Sequence, residues 1–363
     1  MTSDPLTYKR AGVNIDAADK ALASARSAIR ATFTPGVVSD VGLFGGLFDM
    51  ERAGVGGEIL VASADGVGTK LDVAKRAGIH ITVGRDLVQH CINDILCQGA
   101  RPLFFLDYVG TGVLEPNVVA DLIRGCALAC KDHGLALLGG ETAEMPGLYA
   151  RGDFDLVGFI VGSVRRDRML DGSRVKPGQK LIGLGSDGLH TNGYSLARLV
   201  AFEQLGLALD ARPKALGGRT LQDALLAPHR CYLDPLWPLL EAGRIAGIAH
   251  ITGGGLPGNV NRILKNADAR IDLGAWDVPG LFRMLVEEGG VPAAEAYRAF
   301  NMGVGIVLAV EAADAEPIRA QLAAAGETAF HLGEVVAGSG RVRLEGRPVG
   351  TGPAQVEPGP ARG

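Results

Sequence analysis

Three acidic residues stand where apolar strands of the chain give way to the elements that follow them. Asp65 lies in ADGVGTK (64–70), Glu141 lies in GGETAEMPG (139–147), and Asp94 lies on a segment with helical spacing. Ligands commonly bind at loops that follow strands, and carboxylate oxygens are ligands that Mg²⁺ prefers. We therefore expect these acids to converge on Mg²⁺ shared with the phosphates of a nucleotide. For 139–147, a plain turn with exposed acids is the alternative.

The glycine loop at 64–70 has the composition of an anion site. Gly66 and Gly68 allow backbone N–H groups to approach a phosphate closely, and Lys70 supplies a positive charge. The spacing is not that of a Walker A loop, and a tight turn is the alternative. Together with the other two acids and Gly140, the residues that we predict to bind the cofactors are Asp65, Gly66, Gly68, Thr69, Lys70, Asp94, Gly140 and Glu141.

The segment around Asp94 predicts an amphipathic helix at about 100° per residue. One side is apolar, and the other carries Asp86, Gln89, His90, Asn93 and Asp94. A solvent-exposed face is one interpretation, although such faces are usually rich in Lys and Glu. Short polar side chains hold a metal or a fixed hydrogen bond at low entropic cost, so this face is a candidate lining of the site.

Two loops in the second half, GSDGLHTNGYSL (185–196) and HITGGGLPGNV (250–260), each follow a strand and open a helix. The backbone N–H groups and the dipole at a helix N-terminus favour a phosphate. Each loop carries a histidine, His190 or His250, whose ordinary pKa near neutrality suits a general base. A structural or surface histidine is the alternative for each.

The elements that must position these residues alternate without one regular βαβ rhythm, which favours an α+β (mixed α/β) fold. Residues 16–31 predict an amphipathic helix. The charged stretch 165–178 is typical of a crossing between domains. We predict an N-terminal domain at 1–168, a C-terminal domain at 169–349 and a disordered Gly/Pro-rich tail at 350–363.

Composition argues against several classes of protein. The net charge of -4 leaves no basic field for a nucleic-acid backbone, and no run of about 18 apolar residues could span a membrane. The 53 glycines, about twice the usual share, cluster in short loops. Five cysteines without a CxxC pair, and no apolar leader segment, predict reduced thiols and a cytoplasmic protein.

The motifs together resemble the aminoimidazole ribonucleotide synthetase family. They occur in the family's order, and GGETAEMPG and ADGVGTK are the most specific of them. The matching segments are YKRAGV (8–13), SADGVGTKL (63–71), CINDILCQGARPLFFLDY (91–108), LLGGETAEMPG (137–147), HTNGYSL (190–196), LLAPHR (225–230), HITGGGL (250–256) and FNMGVG (300–305).

This resemblance implies an N-terminal domain that dimerises through its sheet and a C-terminal α+β domain with a mixed sheet. It implies ATP and Mg²⁺ as co-reactants, and ring closure of formylglycinamidine ribonucleotide through a phosphorylated formamide oxygen. The implied catalytic residues are His190, His250 and Lys70, and the implied metal ligands are Asp65, Asp94 and Glu141. We predict substrate contacts at Gly45, Gly46, Ser186, Asn192, Gly253, Gly254 and Gly255.

Other activities of the same superfamily fit the chain less well. Glutamine-driven amidation, as in formylglycinamidine ribonucleotide synthetase, would need a glutaminase partner, for which this chain has no candidate domain. Selenophosphate synthesis commonly uses an N-terminal Cys, whereas the first cysteine here is Cys91. Thiamine-phosphate kinase is a third relative. From a different class, a non-catalytic nucleotide-binding or scaffold protein is the alternative, and substrate-stimulated ATP turnover would separate it from an enzyme.

Overall fold

The computed structural model describes residues 6–7, 9, 11, 34–40, 44, 46–54 and 56–350. The helix predicted at 16–31, the predicted substrate residue Gly45 and the tail beyond Gly350 lie outside the described residues. The described chain forms two β-sheets, one in each half, and crosses between them after residue 164. The predicted mixed α/β fold with two sheets is confirmed.

The first sheet has five strands in the order β1-β2-β5-β3-β4. They are β1 (Gly46–Asp49), β2 (Ile59–Gly66), β3 (Arg101–Thr111), β4 (Ala136–Glu144) and β5 (Phe154–Val164). Neighbouring strands are antiparallel except β3 and β4, which are parallel. The residues GGETAE, expected to form a loop after the strand, instead continue β4 as far as Glu144, because each of them pairs with β3.

Three helices belong to this half, namely α1 (Lys70–Ala77), α2 (Ile81–Leu96) and α3 (Pro116–Asp132). Helix α2 packs against β2 and β5, and α3 packs beside α2. Glycines make that helix contact possible. A Cβ at Gly84 would lie 2.2 Å from the carbonyl oxygen of Leu122, and one at Gly125 would lie 2.2 Å from that of Ile81. The two backbones therefore touch, which holds α2 firmly over the sheet.

Large apolar side chains remain exposed on the first sheet. Leu103 is 45% exposed, Leu138 is 64% exposed and Phe159 is 45% exposed. Because side chains alternate along a strand and a Cβ at Gly158 would point at Leu87 of α2, Phe159 faces away from that helix. Apolar surface of this kind is costly to leave in water.

The second sheet has six strands in the order β11-β8-β10-β6-β9-β7. Only the β11–β8 pair among them is parallel, so the predicted mixed sheet is confirmed. The strands are β6 (Lys180–Gly185), β7 (Gly247–His250), β8 (Ala267–Asp272), β9 (Val304–Val310), β10 (Ala329–Ala337) and β11 (Val342–Glu345).

Short helices surround this sheet. They are α4 (Tyr194–Arg198), α5 (Leu221–Leu225), α6 (Leu233–Glu241), α7 (Gly255–Val260), α8 (Gly280–Arg283), α9 (Ala293–Ala299) and α10 (Ala315–Ala324). Helices α4 and α8 continue as π-helical segments, Leu199–Gln204 and Met284–Glu288. Single 3₁₀ turns occur at Lys214–Leu216, Asn261–Ile263 and Ala312–Asp314.

The second sheet is apolar at its centre and charged where it is open. Every residue of β9 is buried. Near β11, Arg270 pairs with Glu345 at 2.9 Å and with Glu334 at 3.4 Å. This part of the sheet therefore presents charged side chains to solvent. In the part of the chain that the structure describes, none of the helices combines the length and the apolar content needed to cross a membrane.

Candidate active site

The polar face of α2 lies between the two halves of the chain. Asp86, Gln89, His90, Asn93 and Asp94 are all buried, although a solvent-exposed face was one interpretation of the same pattern. Spacings of three and four residues place them in one row along the helix. Loops of the second half cover this row, and the Asn93 amide, for example, donates to the carbonyl of residue 230 at 2.7 Å.

Lys70 and Asp86 form one end of this row, here named the closed end. Lys70 Nζ lies 2.6 Å from Asp86 Oδ2, and neither side chain is exposed. The ammonium also donates to the carbonyl oxygens of His190 at 3.1 Å and Ala227 at 2.8 Å, so its three N–H groups all have partners. Asp86 in turn accepts from the backbone N–H of His229 at 2.7 Å. Lys70, predicted to face a phosphate, thus holds two loops of the second half.

Burial dominates the electrostatics of the closed end. Removal from water raises the pKa of Asp86, and the adjacent Lys70 ammonium opposes that rise. Loss of either partner would leave the other charge buried and uncompensated, which typically costs about 3–5 kcal/mol. Every N–H of the Lys70 ammonium has a partner, and neither side chain is exposed. In this conformation, the closed end therefore has no free donor that a ligand could contact.

The other end of the row, here named the open end, consists of Asp65, His90, Asp94 and His250. His90 Nε2 lies 2.7 Å from Asp65 Oδ2 and 3.6 Å from Asp94 Oδ2. His250 Nδ1 lies 2.8 Å from Asp94 Oδ1. Both histidines are buried, whereas the side chain of Asp65 is 40% exposed. The open end therefore brings two carboxylates to one imidazole nitrogen and reaches solvent through Asp65.

Hydrogen bonds through the second half connect the two histidines of the open end. His90 Nδ1 lies 2.5 Å from Thr191 Oγ1, which lies 3.3 Å from His229 Nδ1. His229 Nε2 then lies 3.2 Å from His250 Nε2. A continuous chain of polar contacts thus runs from one carboxylate to the other and crosses between the two halves of the protein twice.

The hydrogens in this chain can be counted. The chain has four hydrogen bonds, and three neutral imidazoles and one hydroxyl supply the four hydrogens that these need. The remaining link is the 2.7 Å contact between His90 Nε2 and Asp65 Oδ2. One further proton, which makes one imidazole cationic, would turn this contact into an ion pair.

The pKa directions place this extra proton on His90. Burial lowers the pKa of His90, but Asp65 and Asp94 together outweigh burial and raise it well above its ordinary value. Burial also lowers the pKa of His250, and there Asp94 only partly opposes the effect. Burial raises the pKa of Asp94, but the two histidines overcome this and hold it below its usual range. His90 is thus cationic, Asp94 is ionised and His250 is neutral.

His190 lies beside this chain without joining it. Its ring stacks on His229 with centroids 4.1 Å apart, and its two ring nitrogens are buried with no hydrogen-bond partner among the described residues. Burial lowers its pKa well below the ordinary value, so the ring is neutral. Its backbone has φ of 62°, which is uncommon outside glycine and concentrates at functional sites.

The strand order keeps Glu141 away from the open end. Asp65 of β2 pairs with Gly158 of β5, which pairs with Asp107 of β3, and Asp107 pairs with Gly140 of β4. Three strand spacings of about 4.8 Å each therefore separate Asp65 from the neighbourhood of Glu141. Within one chain, the expected convergence of three acids is corrected to a convergence of two.

The glycine loop 64–70 faces the second half. Gly66 ends β2, and Gly68 adopts φ of 68° in the left-handed region. A Cβ at Gly68 would lie 4.0 Å from the carbonyl oxygen of Thr191. Thr69 Oγ1 lies 2.9 Å from Ser195 Oγ. The loop and the open end therefore belong to the same contact between the halves.

Some of the predicted substrate residues remain accessible. Gly253, Gly254 and Asn192 are half-buried, and a Cβ at Gly253 would lie 3.8 Å from the Asn192 amide nitrogen. Gly46 is exposed on β1, where it pairs with Ala62. The loop beyond His250 therefore retains backbone that a ligand could approach.

Two other predicted substrate residues are engaged in packing. A Cβ at Gly255 would lie 1.9 Å from the carbonyl oxygen of Tyr297, so only glycine fits there. Ser186 Oγ contacts the carbonyl oxygen of Gly188 at 3.0 Å and Asn301 Oδ1 at 3.1 Å. These contacts shape the loops, and they leave the Ser186 hydroxyl less free for a substrate.

Sequence patterns placed His90 on a candidate lining of the site without an individual role, and they assigned no role to Thr191 or His229. His90 stands midway between Asp86 and Asp94 on the predicted polar face, so its spacing was a usable signal. Thr191 and His229 stand inside the motifs HTNGYSL and LLAPHR, but neither motif indicates which groups their side chains meet. The contact between His90 and Thr191 spans 101 positions of the chain.

Comparison with known proteins identifies relatives over most of the chain. Family models described as AIR synthase related protein match residues 50–164 with their N-terminal domain and residues 176–345 with their C-terminal domain. The phosphoribosylformylglycinamidine cyclo-ligase of Trichlorobacter lovleyi is 50% identical over 92% of this chain and 96% of its own length. That of Geobacter sulfurreducens is 48% identical with the same coverage. That of Alkaliphilus metalliredigens is 43% identical over 95% and 99%.

Solved structures resemble the fold at lower identity. Thiamine-monophosphate kinase from Stenotrophomonas maltophilia superposes with a TM-score of 0.63 at 20% identity, over 90% of this chain and 96% of that chain. The hydrogenase maturation protein HypE in complex with ATP gives a TM-score of 0.55 at 18% identity, over 82% and 86%. At these identities the likeness concerns the fold alone.

Proposed function

Because the chain belongs to the phosphoribosylformylglycinamidine cyclo-ligase family, within the AIR synthase related proteins, we propose that the open end is its catalytic centre. The protein is an ATP-dependent ligase of purine biosynthesis that closes the ring of formylglycinamidine ribonucleotide to give 5-aminoimidazole ribonucleotide, ADP and phosphate. One observation carries the assignment: the open end holds two carboxylates, Asp65 and Asp94, beside a neutral, oriented histidine and reaches solvent through Asp65.

The reaction needs activation of a poor leaving group. The formamide oxygen of the substrate takes the γ-phosphoryl group of ATP, and ADP leaves. The amidine nitrogen then attacks the formyl carbon, the C–O bond breaks, and phosphate leaves with the former formamide oxygen. One proton is lost from the nitrogen. Phosphoryl transfer of this kind depends on positioning and charge neutralisation, and ring closure depends on a base.

The open end fits a divalent cation. Carboxylate oxygens of Asp65 and Asp94 approach the same nitrogen of His90, at 2.7 Å and 3.6 Å. A cationic imidazole already occupies a position between two anionic groups, so the site favours positive charge. We propose that Asp65 and Asp94 would hold Mg²⁺, which supplies neutralisation of phosphate charge when it is bound.

His250 is the base that we favour. Its Nδ1 donates to Asp94 at 2.8 Å, which fixes the ring and leaves Nε2 as its basic nitrogen. This Nε2 lies 3.2 Å from His229 Nε2, and that contact must open before Nε2 takes the proton of the substrate. Burial keeps its pKa below the ordinary value, so the neutral form is present at neutral pH. His190, whose nitrogens are unpartnered, is the second candidate. A loss of the acidic limb of the pH profile of kcat/KM in His250→Ala, but not in His190→Phe, would distinguish them.

The role of Lys70 is positioning. Its ammonium donates to the carbonyl of His190, so it sets the loop that carries this histidine and contacts no phosphate itself. We propose that backbone N–H groups of Gly66 and Gly68 serve the nucleotide phosphates. The substrate would lie along the accessible glycines 253 and 254 and the side chain of Asn192.

We also propose a homodimer in the cytoplasm that pairs through the first sheet. The exposed apolar side chains of Leu103, Leu138 and Phe159 support it, because such surface is costly to leave in water. Light scattering should give about 75 kDa, twice the chain mass of 37.7 kDa. Phe159→Lys should halve that mass. A wild-type monomer at micromolar concentration would exclude this arrangement.

Pairing also offers a place for Glu141, which one chain keeps apart from Asp65. We propose that the partner subunit supplies it. Asp65→Asn and Glu141→Gln would then each be inactive, but mixing them would restore activity. Half of the dimers would be mixed and one of their two sites intact, so about a quarter of wild-type activity returns. Mixtures that stay inactive would place all the ligands within one chain.

An oxygen tracer tests the proposed mechanism. When the formyl oxygen of the substrate is labelled with ¹⁸O, the label should appear in the released phosphate, one atom for each ring closed. Turnover should produce ADP only when substrate is present. Label found in water, with unlabelled phosphate, would show that ATP hydrolysis is separate from ring closure.

A further inference from the structure

Three histidines of the second half, His190, His229 and His250, form a buried group that the reaction does not require as a set. One nitrogen from each lies within 4.8 Å of the corresponding nitrogens of the other two. All three side chains are buried to at least 99%. The sequence separates them by tens of residues, so only the tertiary structure brings the end of β7 and two loops together here.

Two of these nitrogens are separated by the distance expected for two ligands of the same metal ion. His229 Nε2 and His250 Nε2 lie 3.2 Å apart. In a tetrahedral site with Zn–N distances of about 2.0–2.1 Å, neighbouring nitrogens are separated by roughly 3.3 Å. The opposite nitrogens have oxygen partners: Asp94 Oδ1 lies 2.8 Å from His250 Nδ1, and Thr191 Oγ1 lies 3.3 Å from His229 Nδ1. Metal-bound histidines almost always have such partners, which fix the ring and its tautomer.

His190 offers the third nitrogen. Neither of its ring nitrogens has a partner in the described part of the chain, although both are buried. A buried polar atom without a partner is costly, and no hydrogen bond prevents this ring from turning out of its stack on His229. From a backbone with φ of 62°, the ring packs directly on that of His229.

We propose that His190, His229 and His250 bind a transition-metal ion of the Zn²⁺ or Co²⁺ type, with Asp94 and Thr191 orienting the ligands. Imidazole nitrogens suit these ions, whereas Mg²⁺ prefers oxygen, so this site differs from the carboxylate pair at the open end. Three protein ligands leave a fourth position open. The ion would hold two loops of the second half and the end of β7 together. It would also block His190 and His250, so Zn²⁺ inhibits the enzyme, and this inhibition alone rests on the proposed function.

Cobalt spectroscopy tests the site on the full-length protein. Titration with Co²⁺ in excess Mg²⁺ should produce intense visible bands of tetrahedral Co²⁺ that saturate at one equivalent per chain. Zn²⁺ should bleach them. The bands should lack the strong near-ultraviolet charge transfer of cobalt–thiolate bonds, which separates this site from the five cysteines.

Two variants remove ligands, and one serves as the matched control. His190→Phe loses no hydrogen bond of the structure, so it should fold, and His229→Gln removes the central ligand. Each should weaken Co²⁺ binding by more than about 100-fold. Loss of a residue that only orients a ligand typically weakens binding by at most about 100-fold, so a larger loss indicates a direct ligand. His331→Gln, on an exposed histidine, should bind as wild type does. Weak octahedral bands in the wild type, or full binding in a folded His190→Phe variant, would overturn the proposal.

Discussion

The two ends of the polar row on α2 use similar side chains for different purposes. At the closed end, Lys70 and Asp86 are fully buried and every N–H of the ammonium is occupied. At the open end, Asp65 is 40% exposed and shares His90 with Asp94. The buried ion pair of the closed end fixes the two halves of the protein to one another. The charged groups of the open end are also paired, but they reach solvent and are therefore available to a ligand.

Residue type alone did not indicate the contacts of Lys70. A lysine beside a glycine loop favours a phosphate contact, yet this one points between the halves and ends against backbone carbonyls. Two histidines of the open end have pKa values that move in opposite directions, because His90 faces two carboxylates and His250 faces one. The surroundings of a charged side chain, more than its residue type, decide whether it stabilises the fold or takes part in the reaction.

The largest effect is expected at the closed end and concerns stability. Lys70→Met leaves the Asp86 charge buried without a partner and should lower the free energy of unfolding by about 3–5 kcal/mol. Urea unfolding followed by circular dichroism measures it. The double variant Lys70→Met/Asp86→Leu should regain most of the loss, since it removes both charges. If Lys70→Met were as stable as the wild type but defective in ATP binding, Lys70 would be assigned to phosphate binding and not to positioning.

At the open end the expected effect is on turnover. Asp94→Asn keeps an oxygen that can accept from His250 but removes the charge, and it should lower kcat by about 10²–10³. Its unfolding curve should stay close to that of the wild type. Steady-state ADP release with saturating substrate measures the loss. If the variant lost stability as Lys70→Met does and kept its turnover, the two ends would have the same role.

The smallest effect for a single residue is on the dependence of stability on pH. Burial lowers the pKa values of His190, His229 and His250. Their unfolded forms therefore bind more protons than their folded forms, and stability is lost as the pH falls below about 6.5. Each histidine contributes at most about 1.4 kcal/mol per pH unit. His90, with a raised pKa, acts in the opposite direction and loses its contribution as the pH rises through its folded value.

His190→Phe sharpens this prediction, because it removes one of the three depressed histidines without breaking a hydrogen bond. The fall in unfolding free energy below about pH 6.5 should become shallower by up to one proton. His331→Gln, at an exposed histidine, should leave the slope as it was. A slope that does not change in His190→Phe would mean that this ring is already protonated in the folded protein.

Much of the local structure was predictable from the sequence. Periodicity indicated α2 and identified its polar face. Where the sequence pattern failed, pairing decided the outcome: GGETAE has the composition of a loop, but β3 offers hydrogen bonds along its whole length. Local composition cannot indicate whether a neighbouring strand extends that far.

The sequence by itself determined the family, the mixed fold and the residue types of the site, because motif order and hydrophobic period are local properties of the chain. Only the tertiary structure decided which of those residues meet. Lys70 reaches a carbonyl 120 positions away, and His250 reaches Asp94 across 156. Glu141, equally marked by its motif, is kept apart by the order of the strands. The polarity of a side chain is set by its own atoms, but its charge state and its partner depend on which surfaces pack against it and exclude water.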